Sequence, residues 1–176
     1  MKHLTRPLRS VLYIPGSKPR ALEKARSLPV DAIIFDLEDA VAPDEKGAAR
    51  GILAAALTEG GYGARLKIIR INALDTEWGA EDAAAARDMG ADAVLLPKVD
   101  GPAHLEALAT ITGDVPLWSM METPLGMLNA AGIAGHALSQ GLVMGTNDLA
   151  KDMGTRFRAD RLPLMAGLGL CVLAAK

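Results

Sequence analysis

Aromatic residues are scarce in this chain of 176 residues: two Trp, two Tyr and two Phe make up 3% of it. A core with so few rings must be filled by Ala, Leu, Ile, Val and Met. That suits helices packed on a sheet better than an aromatic-rich β-sandwich. Cysteine is as rare. The single thiol, Cys171, cannot close an internal disulfide and has no partner at metal-binding spacing, so it reads as a small core residue. No apolar run is long enough to span a bilayer, and the amino terminus has no apolar signal-type stretch; the cytoplasm is therefore the expected compartment. The formal net charge is −2 and no block of five like charges occurs, which argues against a nucleic-acid partner or an acidic tail. The early cations Lys2, Arg6, Arg9, Lys18, Arg20, Lys24 and Arg26 read as a solvated face or a local anion site.

What is there alternates. Short β-branched runs (Ser10–Ile14, Ala32–Asp36, Leu66–Ile71, Ala93–Leu96, Leu117–Met121, Leu142–Gly145) are separated by Ala-rich segments of helical length: Pro19–Ser27, Asp44–Leu57, Thr76–Met89, Pro102–Ile111 and Leu125–Ala130. Leu162–Ala175 follows the last. Asp44 is the expected N-cap of the second helix and Pro102 suits the first turn of the fourth. The strands read as continuous apolar runs, so both faces are expected to be covered, and the alternation implies parallel strands with right-handed crossovers. Six units fit an open doubly wound sheet or three quarters of an eight-unit (β/α)₈ TIM-type barrel. The barrel is favoured. Polar residues recur just after strands, and "IPGSKPR" after the first strand lacks the G-x-G-x-x-G phosphate turn. The expectation is one domain over residues 1–176, incomplete because six strands leave two edges open and the sequence stops inside a predicted helix.

In such a fold, side chains at the carboxyl ends of the strands converge on one mouth. Collected in order they are Pro15, Gly16 and Ser17; Asp36, Glu38 and Asp39 of "FDLEDAV"; Arg70 and Asn72 of "IRIN"; Lys98 of "LPK"; Glu122 of "METPLGM"; and Asn147 and Asp148 of "VMGTNDLAKD". Five carboxylates at one rim are costly unless a cation answers them. Mg²⁺ suits, because it takes one or two carboxylates and keeps positions for water and substrate; Mn²⁺ is the alternative. Glu122 and Asp148 form the best pair, each ending a strand before a turn, although either could instead cap the helix that follows it. No Cys pair or His-x-x-x-His spacing exists for zinc, and His3, His104 and His136 fall in tail, helix or loop positions. Arg70 could bind a substrate carboxylate or pair internally with Asp36 or Glu38. Glu38 and Asp39 could line a solvated loop, pair with that arginine or stand behind the metal ligands. Lys98 could act at the site or simply rest at the rim.

Together "RSVLYIPGSKPRALEKA", "DAIIFDLEDAV", "IIRIN", "LLPKV", "METPLGM" and "GTNDLAKD" resemble the citrate lyase β-subunit-like family of the HpcH/HpaI aldolase group, in the same order and over almost the whole chain. Members that process malyl-CoA look most alike. The resemblance implies a (β/α)₈ barrel, commonly a trimer or hexamer. It implies Glu122 and Asp148 as Mg²⁺ ligands, Arg70 as the contact to keto-acid or enolate oxygens, and Glu38 and Asp39 as acids around the metal's waters. Arg9, Pro15 and Gly16 would line the substrate and CoA mouth. The activity expected is Mg²⁺-dependent carbon–carbon cleavage of a 3-hydroxyacyl-CoA into an acyl-CoA and a keto acid. Thioester hydrolysis of malyl-CoA is the alternative, and a non-catalytic binding paralogue a third reading. Family members run on past Lys176 through two more β–α units.

Overall fold

The computed structural model describes residues 7–176; Lys2, His3 and Arg6 lie outside the described residues. Six parallel strands follow one another in sequence order: β1 (Val11–Pro15), β2 (Ala32–Asp36), β3 (Leu66–Arg70), β4 (Ala93–Leu96), β5 (Leu117–Met121) and β6 (Ser139–Met144). Between them lie α1 (Pro19–Ala25), α2 (Lys46–Glu59), α3 (Gly79–Asp88), α4 (Pro102–Thr112) and the short pair α5 (Pro124–Leu128) and α6 (Ala130–Ala134); α7 (Thr146–Asp152) and α8 (Met165–Ala174) follow β6.

A strand's side chains alternate between its two faces, and here both faces are buried. Ile33, Phe35, Ile69, Val94, Leu96, Leu117 and Met121 point to the helices and meet Ala25, Ala49, Leu53, Ala83, Ala86, Leu105 and Leu108 in the larger core. Ala32, Ile34, Ile68, Ala93, Leu95, Trp118 and Met120 form a second, smaller core on the concave side. The run-like strands of the sequence are thus explained: neither face is free to be polar. The register line through Pro15, Asp36, Arg70, Leu95, Trp118 and Gly141 starts at the carboxyl ends of β1–β3 and reaches β5 and β6 near their amino ends. That stagger is the shear of a barrel wall. The architecture is a half-barrel, with β1 and β6 as its two edges.

β2, β4 and β5 fall on the residues expected of them, whereas β6 begins three residues earlier than the apolar pattern indicated. Its first residues, Ser139, Gln140 and Gly141, carry no strand signal; Ser139 pairs with Leu117 and Gly141 with Trp118, and Gln140 is the extra residue at the register shift between them. Asp44 caps nothing. It sits in a 3₁₀ turn, Pro43–Glu45, and α2 starts at Lys46 with no side-chain cap. The single helix expected over Leu125–Ala130 is two helices meeting at Asn129. No helix among the described residues is long and apolar enough to cross a membrane.

Close approach fixes Gly126. A Cβ on Gly126, in the first turn of α5, would lie 2.2 Å from the Val99 carbonyl oxygen and 2.9 Å from Thr123 Oγ1. Gly51, inside α2, has open space around it. Gly126→Ala is therefore expected to lower unfolding free energy by about 1–3 kcal/mol. Gly51→Ala should raise it by about 0.5–1 kcal/mol, since alanine restricts the unfolded chain more. Urea unfolding of the two variants checks both; equal effects of one sign would contradict the packing described.

Candidate metal and substrate site

Period two along the strands places the polar residues. In β2 the concave face reads Ala32, Ile34, Asp36; in β3, Leu66, Ile68, Arg70; in β5, Trp118, Met120 and then Glu122 just beyond the strand end. The apolar lumen therefore ends in a charged layer.

Asp36 organises that layer. It is 2% exposed, and Arg70 is its neighbour in the β2–β3 register. Arg70 donates from Nε to Asp36 Oδ1 (2.8 Å) and from Nη2 to Oδ2 (2.5 Å). The same carboxylate accepts the main-chain N–H groups of Glu38 (2.9 Å) and Ala40 (3.1 Å), which folds the loop after β2 back over the strand end. Arg70 Nη1 then lies 2.7 Å from Glu38 Oε2 and 3.4 Å from Asp39 Oδ2. The Glu38 contact is an ion pair set off the N–H axis, because Oε2 accepts no directed hydrogen bond. Burial pushes the Glu38 carboxyl up to about 7; Arg70 opposes the shift, and the charges of Asp39, Glu122 and Asp36 add to it. The Arg70 guanidinium also lies 5.2 Å from the centre of the Tyr13 ring. Tyr13 Oη donates to Met120 Sδ (3.3 Å), linking β1 to β5 across the lumen. Burial drives the Tyr13 hydroxyl up to about 12.

Glu122 is 2% exposed. Its Oε1 accepts the Lys98 main-chain N–H at 2.8 Å. Lys98 delivers that N–H from a left-handed backbone (φ 51°), unusual for a residue with a side chain. Helix capping, one role open to Glu122 from sequence, falls to Thr123, whose Oγ1 accepts Gly126 N–H (3.0 Å) and donates to Asp100 Oδ1 (2.5 Å). Gly145 is needed beside Glu122: a Cβ there would lie 2.5 Å from Oε2. Asp148 stands in the first turn of α7 and caps nothing. Burial raises the Glu122 carboxyl above its ordinary range; the Lys98 N–H opposes this and the Asp148 charge reinforces it. Glu122, Asp148, Asp39, Arg70, Tyr13 and Asn147 are among the residues around one cleft of about 280 Å³.

Other residues from the sequence reading stand elsewhere. Arg9 lies before the amino end of β1, where its main-chain N–H donates to Asp31 Oδ2 (2.9 Å) and its exposed side chain approaches the same oxygen at 3.8 Å. A five-residue strand, roughly 17 Å long, separates it from the charged layer; the structure does not bring it to the cleft. Pro15 ends β1 opposite Asp36, and Gly16 is buried under Leu37, donating to the Asp36 carbonyl (2.8 Å). The Lys98 side chain is exposed, and what reaches the site is its amide. Tyr13, Thr123 and Gly145 were not singled out from sequence. Tyr13 was legible as the one aromatic on the concave face of β1.

Among the described residues, no three His, Cys, Asp or Glu side chains gather as a ready metal cage. Mg²⁺ does not require one: one or two carboxylates suffice, with water and substrate completing its shell. A buried carboxylate repelled by a second one across an open cleft fits such an ion.

The model of the HpcH/HpaI aldolase/citrate lyase family matches residues 9–176. The (3S)-malyl-CoA thioesterase of Cereibacter sphaeroides strain KD131 is 61% identical over all 176 residues, and those of three other strains are 60% identical. The chain spans 62% of the length of these relatives. A solved citrate lyase β subunit from Mycobacterium tuberculosis, complexed with oxaloacetate and magnesium, superposes with a TM-score of 0.80 at 31% identity, covering 94% of this chain and 72% of that one. CitE from the same organism, in complex with magnesium, acetoacetate and coenzyme A, gives 0.78 at 30%, covering 94% and 60%. These matches correct the expected carbon–carbon lyase. Identity of 60–61% along the whole chain is to thioesterases, and the likeness to citrate lyase β is the more distant one.

The Glu38 shift has a measurable sign. Its carboxyl titrates near 7 in the folded chain against an ordinary 4.5. The folded state therefore holds the extra proton between those values. The stability this contributes is complete below pH 4.5 and lost as pH rises through 7. Without added divalent cations, wild type should lose melting temperature relative to Glu38→Gln between pH 5 and pH 8. A difference that stays constant with pH would sink the assignment.

Proposed function

Because the chain belongs to the HpcH/HpaI aldolase/citrate lyase family, we propose that it serves a Mg²⁺-dependent thioesterase that hydrolyses (3S)-malyl-CoA to malate and CoA. One observation carries the reading: the match to a (3S)-malyl-CoA thioesterase, at 61% identity, spans all 176 residues, the segments around the cleft included. The half-barrel is read as six of the eight units of a closed (β/α)₈ barrel domain, with further strands joining the edges β1 and β6.

In this reading Glu122 and Asp148 hold the ion. Bound there, Mg²⁺ would polarise the thioester carbonyl as a Lewis acid and offset the acids of the rim. Lys98 N–H fixes Glu122 by one oxygen, and Gly145 gives the other room beside the cleft. Hydrolysis adds a water oxygen to the thioester carbon and breaks the C–S bond; one proton leaves the water and one reaches the departing sulfur. Glu38 is assigned both transfers, first as base and then as acid. A carboxyl near 7 is populated in both forms at neutral pH, which that double duty needs. Arg70 orients Glu38 through Nη1 and faces the cleft beside Asp39, where its positive charge suits a substrate carboxylate. Tyr13 shields the guanidinium from the lumen side.

Incubating the intact protein with (3S)-malyl-CoA, with and without Mg²⁺, and separating the products by chromatography tests this. Malate and free CoA that require Mg²⁺ are expected; acetyl-CoA with glyoxylate would overturn the reading. Glu122→Ala and Asp148→Ala should each lower turnover by about 10²-fold or more, and Glu38→Gln by about 10²–10⁴-fold. Metal-dependent turnover unchanged in either alanine variant would dismiss the ligand assignment.

A further inference from the structure

Behind the cleft lies a buried cation that the reaction above does not use. Lys46 opens α2 and is 7% exposed. An ammonium taken out of water is costly unless every donor finds an acceptor. Lys46 Nζ has three: the Glu38 carbonyl (2.9 Å), the Leu37 carbonyl (3.2 Å) and Asn72 Oδ1 (2.6 Å). Its remaining approach is to the Trp78 ring, 5.2 Å from the centroid. Asn72 is held in turn. Its Nδ2 donates to Asp82 Oδ2 (2.6 Å) and to the Leu37 carbonyl (2.9 Å), and its own N–H donates to Asp82 Oδ2 (3.1 Å). Asp82, fully buried in α3, is closed by Arg50 Nη1 at 2.9 Å from Oδ1. Arg50 and Lys46 are one helical spacing of four apart, so they leave α2 on the same side.

This chain of contacts ends on the loop that carries the acids. Asp36 grips the loop's N–H groups at Glu38 and Ala40 from the lumen side; Lys46 grips its carbonyls at Leu37 and Glu38. The peptide unit between Leu37 and Glu38 is thus held at both poles, its carbonyl by Lys46 and its N–H by Asp36. We propose that Lys46 is a positioning residue, whose ammonium fixes the loop after β2 so that Asp39 faces the cleft and Glu38 is held against Arg70 beside it. The proposal rests on the thioesterase reading for its kinetic consequence and on geometry alone for its effect on the loop.

The test uses the intact protein with Lys46→Met, which keeps length and removes the donors, and Lys46→Arg, which keeps donors. Hydrogen exchange read by mass spectrometry reports the loop without reference to activity. Lys46→Met should exchange faster at residues 38–40 while α4 and β4 stay protected, and Lys46→Arg should stay near wild type. On (3S)-malyl-CoA, Lys46→Met should lower kcat about 10- to 100-fold and leave KM within about threefold. In a Glu38→Gln background the same substitution should cost less than about threefold, because its effect acts through Glu38. Unchanged loop exchange in Lys46→Met overturns the proposal, as does an equal kcat loss in both backgrounds. Should wild type fail to hydrolyse malyl-CoA, the functional reading falls and the exchange data alone decide the role of Lys46.

Discussion

The ion pair between Asp36 and Arg70 is the constraint on which the rest of the site depends. It joins neighbouring strands in register, at the height where an apolar lumen gives way to charge. Both residues are almost fully buried, so neither charge could stand there alone; losing one partner of such a pair typically costs about 3–5 kcal/mol. The pair also does more than satisfy itself. Asp36 spends its remaining lone pairs on the loop that presents Glu38 and Asp39, and Arg70 spends its third nitrogen on those two acids. The position of both acids, and the positive charge set against them, follow from one buried salt bridge.

Its geometry comes from the pleat. Because strand side chains alternate, the residues that pack the lumen and those that close it lie in one line on each strand. Trp118, Met120 and Glu122 are such a line, as are Ile34 with Asp36 and Ile68 with Arg70. Tyr13 touches both kinds, lying against Arg70 at one face and reaching Met120 with its hydroxyl. The cleft opens onto the charged layer, with a packed core beneath it.

Much of this was legible in the sequence. The strands from Ala32, Ala93 and Leu117 stand out because runs of β-branched and apolar residues are bounded by Asp, Pro and Gly. The gathering of Asp36, Glu38, Asp39, Arg70 and Glu122 follows from the parallel topology alone. What was hidden depends on contacts between distant residues. β6 starts on Ser-Gln-Gly, which has no pattern of its own and pairs because Trp118 needs the space over Gly141. Arg9, adjacent in sequence to the first strand, stands at the wrong end of it, and strand direction decides this more than proximity in the chain does. Lys46 looks like any solvated first-turn lysine until Asn72 and the loop carbonyls are seen around it.

Lys98 has a consequence for how such a site drifts over generations. Its contribution to Glu122 is an amide hydrogen presented from a left-handed backbone, while its side chain lies in solvent. Glycine or asparagine would adopt that conformation as readily, and a β-branched residue would resist it. The hydrogen bond at this position therefore depends on a dihedral angle rather than on a letter. Homologues could exchange the lysine freely among turn-forming residues and keep the carboxylate where it is, so a site defined by its conserved letters would miss one of its fixed points.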